Sequence, residues 1–220
     1  MGECMNKLTL AFLTAACILL IVPAQATIYV GGEAGLASIS EAIEKATENG
    51  TIVVYEGIYR ENVVIDKPLI LKAAGNVTVE AADNTRPVVW LKANSVVFSG
   101  FIVKGGYVGI HLDNVRNCGI ENNTVFGNDF GIGLVSSSSN SIEYNTASEN
   151  EHGIVLDSCS SNTIVNNSAS ENGDRGLLIQ DSEENEVWNN IFSKNSYGIF
   201  LHGSDRNALW NNSASENGDT

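Results

Sequence analysis

A four-residue segment, glycine–aliphatic–any–aliphatic, returns five times at nearly constant spacing, and no other feature limits the fold so strongly. It stands at Gly109-Ile110-His111-Leu112, Gly131-Ile132-Gly133-Leu134, Gly153-Ile154-Val155-Leu156, Gly176-Leu177-Leu178-Ile179 and Gly198-Ile199-Phe200-Leu201, at intervals of 22, 22, 23 and 22 residues. An internal repeat of this length marks a solenoid or a related array. The match runs through each unit. An aliphatic follows eleven residues after each glycine (Ile120, Ile142, Ile164, Val187, Leu209), and asparagine follows at fourteen (Asn123, Asn145, Asn167, Asn190, Asn212). A second column lies at nineteen (Asn128, Asn150, Asn172, Asn195, Asn217) and a third at nine (Asn140, Asn162, Asn185, Asn207, with Cys118 in the first unit).

Within a unit the apolar residues alternate, with Ile154 and Leu156 inward and Val155 and Asp157 outward, which is strand periodicity. No helical stripe fits inside it. If each unit is one coil, equivalent residues stack about 4.8 Å apart, the spacing of neighbouring strands. Aliphatic columns then make the core. Asparagine columns make ladders at the bends, amide bonded to amide, where tolerance of left-handed backbone is useful. That gives a reason for the chain's 26 asparagines, a residue type otherwise depleted in strands. A leucine-rich repeat has a similar period but sets its leucines around a single asparagine.

These residues resemble the right-handed parallel β-helix proteins of the NosD-like and carbohydrate-binding/sugar-hydrolase (CASH) type, whose units read approximately Asn-x-x-Gly-Ile-x-Leu. The resemblance covers residues 27–220. The expected fold is all-β: a single-stranded right-handed parallel β-helix of about eight coils, roughly 40 Å long, with an N-terminal capping helix. Ser38-x-x-Glu41 is a capping box. Ile39, Ala42, Ile43 and Ala46 form one apolar face, and Asn49-Gly50 is expected to end the helix, which would cover the first coil's open edge. Strand-like runs follow at 51–55, 63–65, 69–72, 77–80, 88–91 and 96–99. The domain reading is a secretory signal over 1–26, a cap over 27–50 and the β-helix over 51–220. The last unit stops at Thr220 where another glycine is due, so the repeats are expected to continue in a longer parent, with the closing cap missing here.

The signal rests on Lys7, an apolar run from Leu8 to Val22, and the small-x-small site Ala24-Gln25-Ala26. Cys4 and Cys17 leave with it. Cys118 and Cys159 remain, too few for a disulfide-stapled domain. With 26 acidic against 12 basic side chains, the formal net charge is -14. This argues against nucleic-acid binding, which needs cations to displace counterions. No later stretch is long enough to enter a membrane once the signal is gone. The expected location is extracellular, at the cell surface, or periplasmic in a Gram-negative cell.

For chemistry the sequence offers less. Gly57-Ile58-Tyr59-Arg60-Glu61 resembles the opening motif of pectinesterases, but the later catalytic motifs of that family are not found, so it reads as a structural turn. Glu121 and Glu143 share one outward column and are the catalytic candidates, since two carboxylates about 5 Å apart suit a retaining glycosidase. Without a neighbouring arginine they read more simply as solvated charges. Trp188 and Trp210 follow in the same column and form a candidate sugar-stacking strip. The column one residue before each glycine, Phe130, His152, Arg175 and Tyr197, is the second candidate, with Phe130 and Tyr197 as its aromatic members. The resemblance to NosD implies a copper-site accessory role. Copper wants converging His, Met or Cys, yet His111, His152 and His202 fall out of phase, so no metal and no cofactor is expected. Calcium fares little better, since Asp113 and Asp157 flank Val135. Asn49, Asn76, Asn122, Asn166 and Asn211 head Asn-x-Ser/Thr sequons. The expected function is a secreted or surface protein that binds or scaffolds polysaccharide or cell-envelope glycan. The alternatives are a polysaccharide lyase or glycoside hydrolase, and the copper accessory role.

Overall fold

A computed structural model describes residues 26–33 and 35–218. The signal segment up to Gln25 and residues 219–220 lie outside the described residues. The chain forms a parallel β-solenoid of about eight turns with one short helix. Every strand pairing is parallel.

Each coil contributes to three faces. The broad face is a seven-stranded sheet whose later strands are Val108–Asp113, Phe130–Val135, His152–Asp157, Arg175–Gln180 and Tyr197–His202. The second face runs from Leu69 through Val97–Ser99, Gly119–Glu121, Ser141–Glu143, Thr163–Val165 and Glu186–Trp188 to Ala208–Trp210. The third carries Ile102–Lys104, Thr124–Phe126 and Thr146–Ala147, then single bridges at Ser168, Ile191 and Ser213. The expected runs 69–72 and 77–80 are one bent strand, Leu69–Glu80, and 51–55 is part of Gly50–Arg60. These two long strands join the second and third faces, with a register shift between Tyr55 and Gly57.

The core follows the alternation. Ile110, Ile132, Ile154 and Leu177 are in register and wholly buried, as are Ile120, Ile142, Ile164 and Val187. Each such side chain contributes about 1.5–3 kcal/mol. Val155 points outward as expected but is nonetheless covered. The repeat glycine is a matter of room. A Cβ on Gly153 would stand 2.6 Å from the Gly176 carbonyl and 2.8 Å from Asn172 Nδ2, closer than a methyl group is tolerated.

The ladders form, and they do more than join amides. Asn167 Nδ2 donates to the Ile142 carbonyl (2.8 Å), the Val165 carbonyl (3.0 Å) and Asn190 Oδ1 (3.0 Å). Its Oδ1 accepts from the Asn145 backbone N–H at 2.9 Å and from Asn145 Nδ2 at 3.0 Å. Each amide therefore closes backbone groups that the bend takes out of the sheet, the accounting that a buried corner demands. The expectation about left-handed backbone needs correcting by one residue. The ladder asparagines are not left-handed; the residues before them are, at Asn122, Tyr144, Asn166 and Asn189, with φ of 56–57°. A fourth corner also went unread. Ser137 and Ser182 are buried there, each preceded by a left-handed residue, and Ser182 Oγ accepts from the Cys159 N–H at 2.8 Å.

At the N-terminus the helix spans Ile39–Lys45 and ends at Ala46, short of the expected Asn49-Gly50, because Ala46 is already extended. Ser38 accepts from the Glu41 N–H at 3.1 Å. The N–H groups of Ile39 and Ser40 donate to the Glu61 carboxylate, both at 2.9 Å. Gly57–Glu61 thus includes the cap of the helix, with Tyr59 buried above it. The helix packs on strands Ile28–Val30, Gly50–Arg60 and Val63–Ile65. The segment before the helix is also part of the solenoid, since Ile28–Val30 pairs with Ile52–Val54.

Candidate functional site

On the second face, one outward column reads Lys72, Ser99, Glu121, Glu143, Val165, Trp188 and Trp210, each the partner of the next. Glu121 and Glu143 are direct neighbours on adjacent strands and partly exposed. Glu143 accepts a short hydrogen bond from Ser141 Oγ. Both carboxylates stand on the outer surface of this sheet. The two indoles lie 5.8 Å apart with planes 9° from parallel. They stack on one another. One face of each ring is taken by its neighbour, so the pair does not spread out as a flat strip.

The broad face is built differently. Val108, Phe130, His152, Arg175 and Tyr197 stand in register one residue before the repeat glycines. Phe130 stacks on His152 at 4.9 Å and meets Tyr107 edge-on at 5.3 Å. The Arg175 guanidinium lies 4.8 Å over Phe200 and 5.8 Å over Tyr197. Earlier on the same face the Lys92 ammonium sits 4.4 Å over Trp90, whose ring tilts against His111 at 6.0 Å. Rings and cations thus follow the solenoid axis over several coils.

Polar satisfaction separates this face from the rest. Among the described residues, the buried side-chain nitrogens and oxygens without a hydrogen bond are Trp90 Nε1, His111 Nδ1, His152 Nδ1 and Arg175 Nε, all on the broad face. Such groups are rare and ask for a reason. The charges nearby are mostly engaged. Asp174 pairs with Arg175 at 2.6 Å and approaches His152 Nδ1 at 3.7 Å. Burial lowers the pKa of His152; Asp174 pulls it back and Arg175 lowers it further. Burial also lowers the pKa of His111, against Asp113 and the nearby Gly133 backbone. Both imidazoles are therefore neutral near pH 7. Beside them is a cavity of about 260 Å³ lined by Tyr107, Val108, His111, Phe130, Gly133, Leu134, Val135, Val155 and Asp157.

Of the residues singled out from sequence, Phe130 and Tyr197 fall on this face with His152 and Arg175, while Trp188, Trp210, Glu121 and Glu143 share the second face. Asn123, Asn145, Asn167 and Asn190 are buried in their ladder and Asn212 is partly exposed at its end. Tyr107, His111 and Gly133 were missed as a group. The signal was present: aligning Gly-Ile-x-Leu sets a glycine at 133 where other units carry a side chain.

The model of the family described as periplasmic copper-binding protein (NosD) matches residues 43–219. The chain belongs to the NosD family. It is also 39% identical over 89 residues to a cell surface glycoprotein of Methanothermus fervidus, a match covering 40% of this chain and 15% of that protein. The NosD-family chain thus spans a small part of that relative's length. Among solved structures it is similar to a pectate lyase (TM-score 0.67, 18% identity, 78% of this chain and 55% of that one). It is similar too to an alginate lyase from Paenibacillus sp. (TM-score 0.58, 13% identity, 86% and 97%). A mannuronan C-5 epimerase A-module of Azotobacter vinelandii follows at TM-score 0.54 and 17% identity, over 74% and 56%. At these identities the likeness is one of fold.

The family's printed description raises copper, and the donors present do not fit it. Copper sites gather His, Cys or Met around one point. His111, His152 and His202 occupy three different columns of the broad face. Cys118 and Cys159 are buried at different corners, and burial pushes both thiols up in pKa, away from the thiolate that binds metal. Among the described residues no group of three His, Cys, Asp or Glu side chains converges to hold a metal. Nor is any helix among them long and apolar enough to cross a membrane.

Proposed function

We propose that this NosD-family β-helix is a secreted or cell-surface protein that binds polysaccharide along the outer side of its broad face. The observation that carries this reading is the run of Tyr107, Phe130, His152, Arg175 and Tyr197 along the axis. It spans about five coils, or roughly 20 Å at strand spacing, which suits an extended chain of several sugar rings. Aromatic faces pack against the C–H faces of sugars. The surface-glycoprotein relative and the polysaccharide substrates named for the fold neighbours support the same reading. The Trp188–Trp210 pair is the weaker candidate, because its rings span two coils where the broad-face run spans five.

Retention on a panel of immobilised polysaccharides, combined with a reducing-sugar assay on the same samples, tests the proposal. Retention of at least one glycan without release of product is expected. Product release would replace binding with catalysis, and failure to retain any glycan would end the reading.

A further inference from the structure

Two residues after the repeat glycine, the outward column reads Trp90, His111, Gly133, Val155, Leu178 and Phe200, each the partner of the next. Gly133 alone has no side chain, and nothing in the backbone asks for that. It lies inside strand Phe130–Val135, and it is absent from the left-handed positions. A Cβ there would meet Val108 Cγ1 at 3.4 Å and His111 Nδ1 at 3.7 Å, both ordinary contacts. The repeat glycines differ in this respect, since the Cβ positions at Gly109, Gly131, Gly153 and Gly176 are blocked by the next coil's carbonyl and that at Gly198 by Asn217 Nδ2 and Ala214 Cβ. Glycine inside a strand weakens it and often marks a place where something approaches closely. At Gly133 it opens the 260 Å³ cavity, whose lining includes Phe130, Tyr107, Val155 on the next coil and Asp157.

His111 lines this notch with its Nδ1 closed off from solvent, 3.7 Å from where a Gly133 Cβ would stand. No lysine or arginine lines it, and Asp157 does. Arg175, farther along the face, is paired with Asp174. The whole chain carries a formal charge of -14. A ligand carboxylate would therefore meet the Asp157 carboxylate without a counter-charge, whereas a hydroxyl would find an acceptor in it.

We propose that the notch at Gly133 seats one uncharged sugar ring, a hexose or N-acetylhexosamine and not a uronate, packed against Phe130 and Tyr107 with a hydroxyl bonded to the Asp157 carboxylate. This rests on the polysaccharide-binding reading and narrows it. It also sets the chain apart from its fold neighbours, whose names refer to pectate, alginate and mannuronan.

Gly133→Val is the sharpest probe, because it restores the residue found one coil later at Val155 and fills the notch. Calorimetric titration of wild type, Gly133→Ala and Gly133→Val with hexamers of cellulose, mannan and chitin, and with oligogalacturonate and oligomannuronate, reads the effect. Wild type should bind at least one neutral hexamer and neither uronate. Gly133→Val should keep or raise its urea midpoint while binding about tenfold more weakly or worse, about 1.4 kcal/mol, with Gly133→Ala between. Unchanged affinity in a folded Gly133→Val would remove the notch as the seat while leaving the broad face as a glycan surface. Preference for a uronate would overturn the uncharged class. Binding of none of the five by wild type would overturn both the seat and the polysaccharide reading.

Discussion

The corner ladders and the broad-face columns repeat with the same period, yet one set satisfies itself and the other does not. Every asparagine from Asn123 to Asn195 in the ladders is nearly wholly buried and bonded to its neighbours and to the backbone around it. The Trp188–Trp210 pair behaves the same way with rings, parallel to within 9°. On the broad face the rings meet at mixed angles, 24° for Phe130 on His152 and 72° for Tyr107 on Phe130, and the column beside them is broken at Gly133. The orphaned nitrogens lie there as well. A solenoid column that pairs like with like spends its bonding capacity along its own axis and serves stability. A column of mixed residues keeps capacity for something outside the protein.

The largest expected difference between the two sets is in stability. Asn167→Leu removes the acceptor of the Asn145 N–H and a donor to the Ile142 carbonyl, while the Val165 carbonyl keeps its bond from the Tyr144 N–H, at about 1–3 kcal/mol for each buried group left unpaired. A loss of about 3 kcal/mol or more in urea unfolding is expected. Asn217→Leu, whose side chain is partly exposed and bonds Phe192 and Asn195, should cost less than about 1 kcal/mol, since water replaces the lost partners. Equal and negligible shifts in the two would mean that the asparagines are solvated turn residues.

Next in size is the tryptophan pair. Trp188→Ala removes a stacked, half-buried ring, and about 1–2 kcal/mol is expected from the lost stacking and apolar contact. A loss of glycan retention with unchanged stability would reverse the assignment of the two aromatic columns. Smallest is the response to pH. His111 and His152 have folded pKa values below the ordinary 6.5, burial being the first cause in both. The unfolded chain therefore binds more protons just below 6.5, and stability falls as pH drops through that value, levelling off once the folded imidazoles are charged. Asp113 faces His111, while Asp174, Arg175, Glu151 and Asp129 act on His152. Replacing both imidazoles, His111→Phe with His152→Phe, should flatten this part of the urea-midpoint profile between pH 7 and 5. An unchanged slope would show that other groups set it.

The later coils were legible because their corners are written in one residue type at fixed intervals. Asn123, Asn145, Asn167 and Asn190 announce both the bend and the register. The fourth corner was not, since Val115, Ser137, Cys159, Ser182 and Ser204 share small size and not one chemistry. The one-residue error in the left-handed position has a similar source: Tyr144 adopts that conformation as Asn122 and Asn166 do, so tertiary pairing overrides local preference there. In the early coils, Phe98 and Phe101 stack at 4.2 Å inside the core, and long bent strands take the place of ladders, so periodicity gave only fragments of Gly50–Arg60 and Leu69–Glu80. The helix end was misjudged because Asn49 looks like a stop signal, while Ala46 had already turned extended. For the candidate site, Phe130 and Tyr197 could be read from their shared column. Gly133 could be read only as an absence in another, and the orphaned nitrogens of Trp90, His111, His152 and Arg175 required coordinates.

Glycan retention by two single variants, compared on the same neutral polysaccharide, tests most directly the assignment of binding to the broad face. Phe130→Ala removes a ring at the notch, and Trp210→Ala removes an exposed ring of the self-stacked pair. Phe130→Ala should abolish retention at a stability cost of about 1–2 kcal/mol from its lost ring contacts, and Trp210→Ala should be retained as wild type is. Retention lost in Trp210→Ala and kept in Phe130→Ala would contradict it and move the binding surface to the second face.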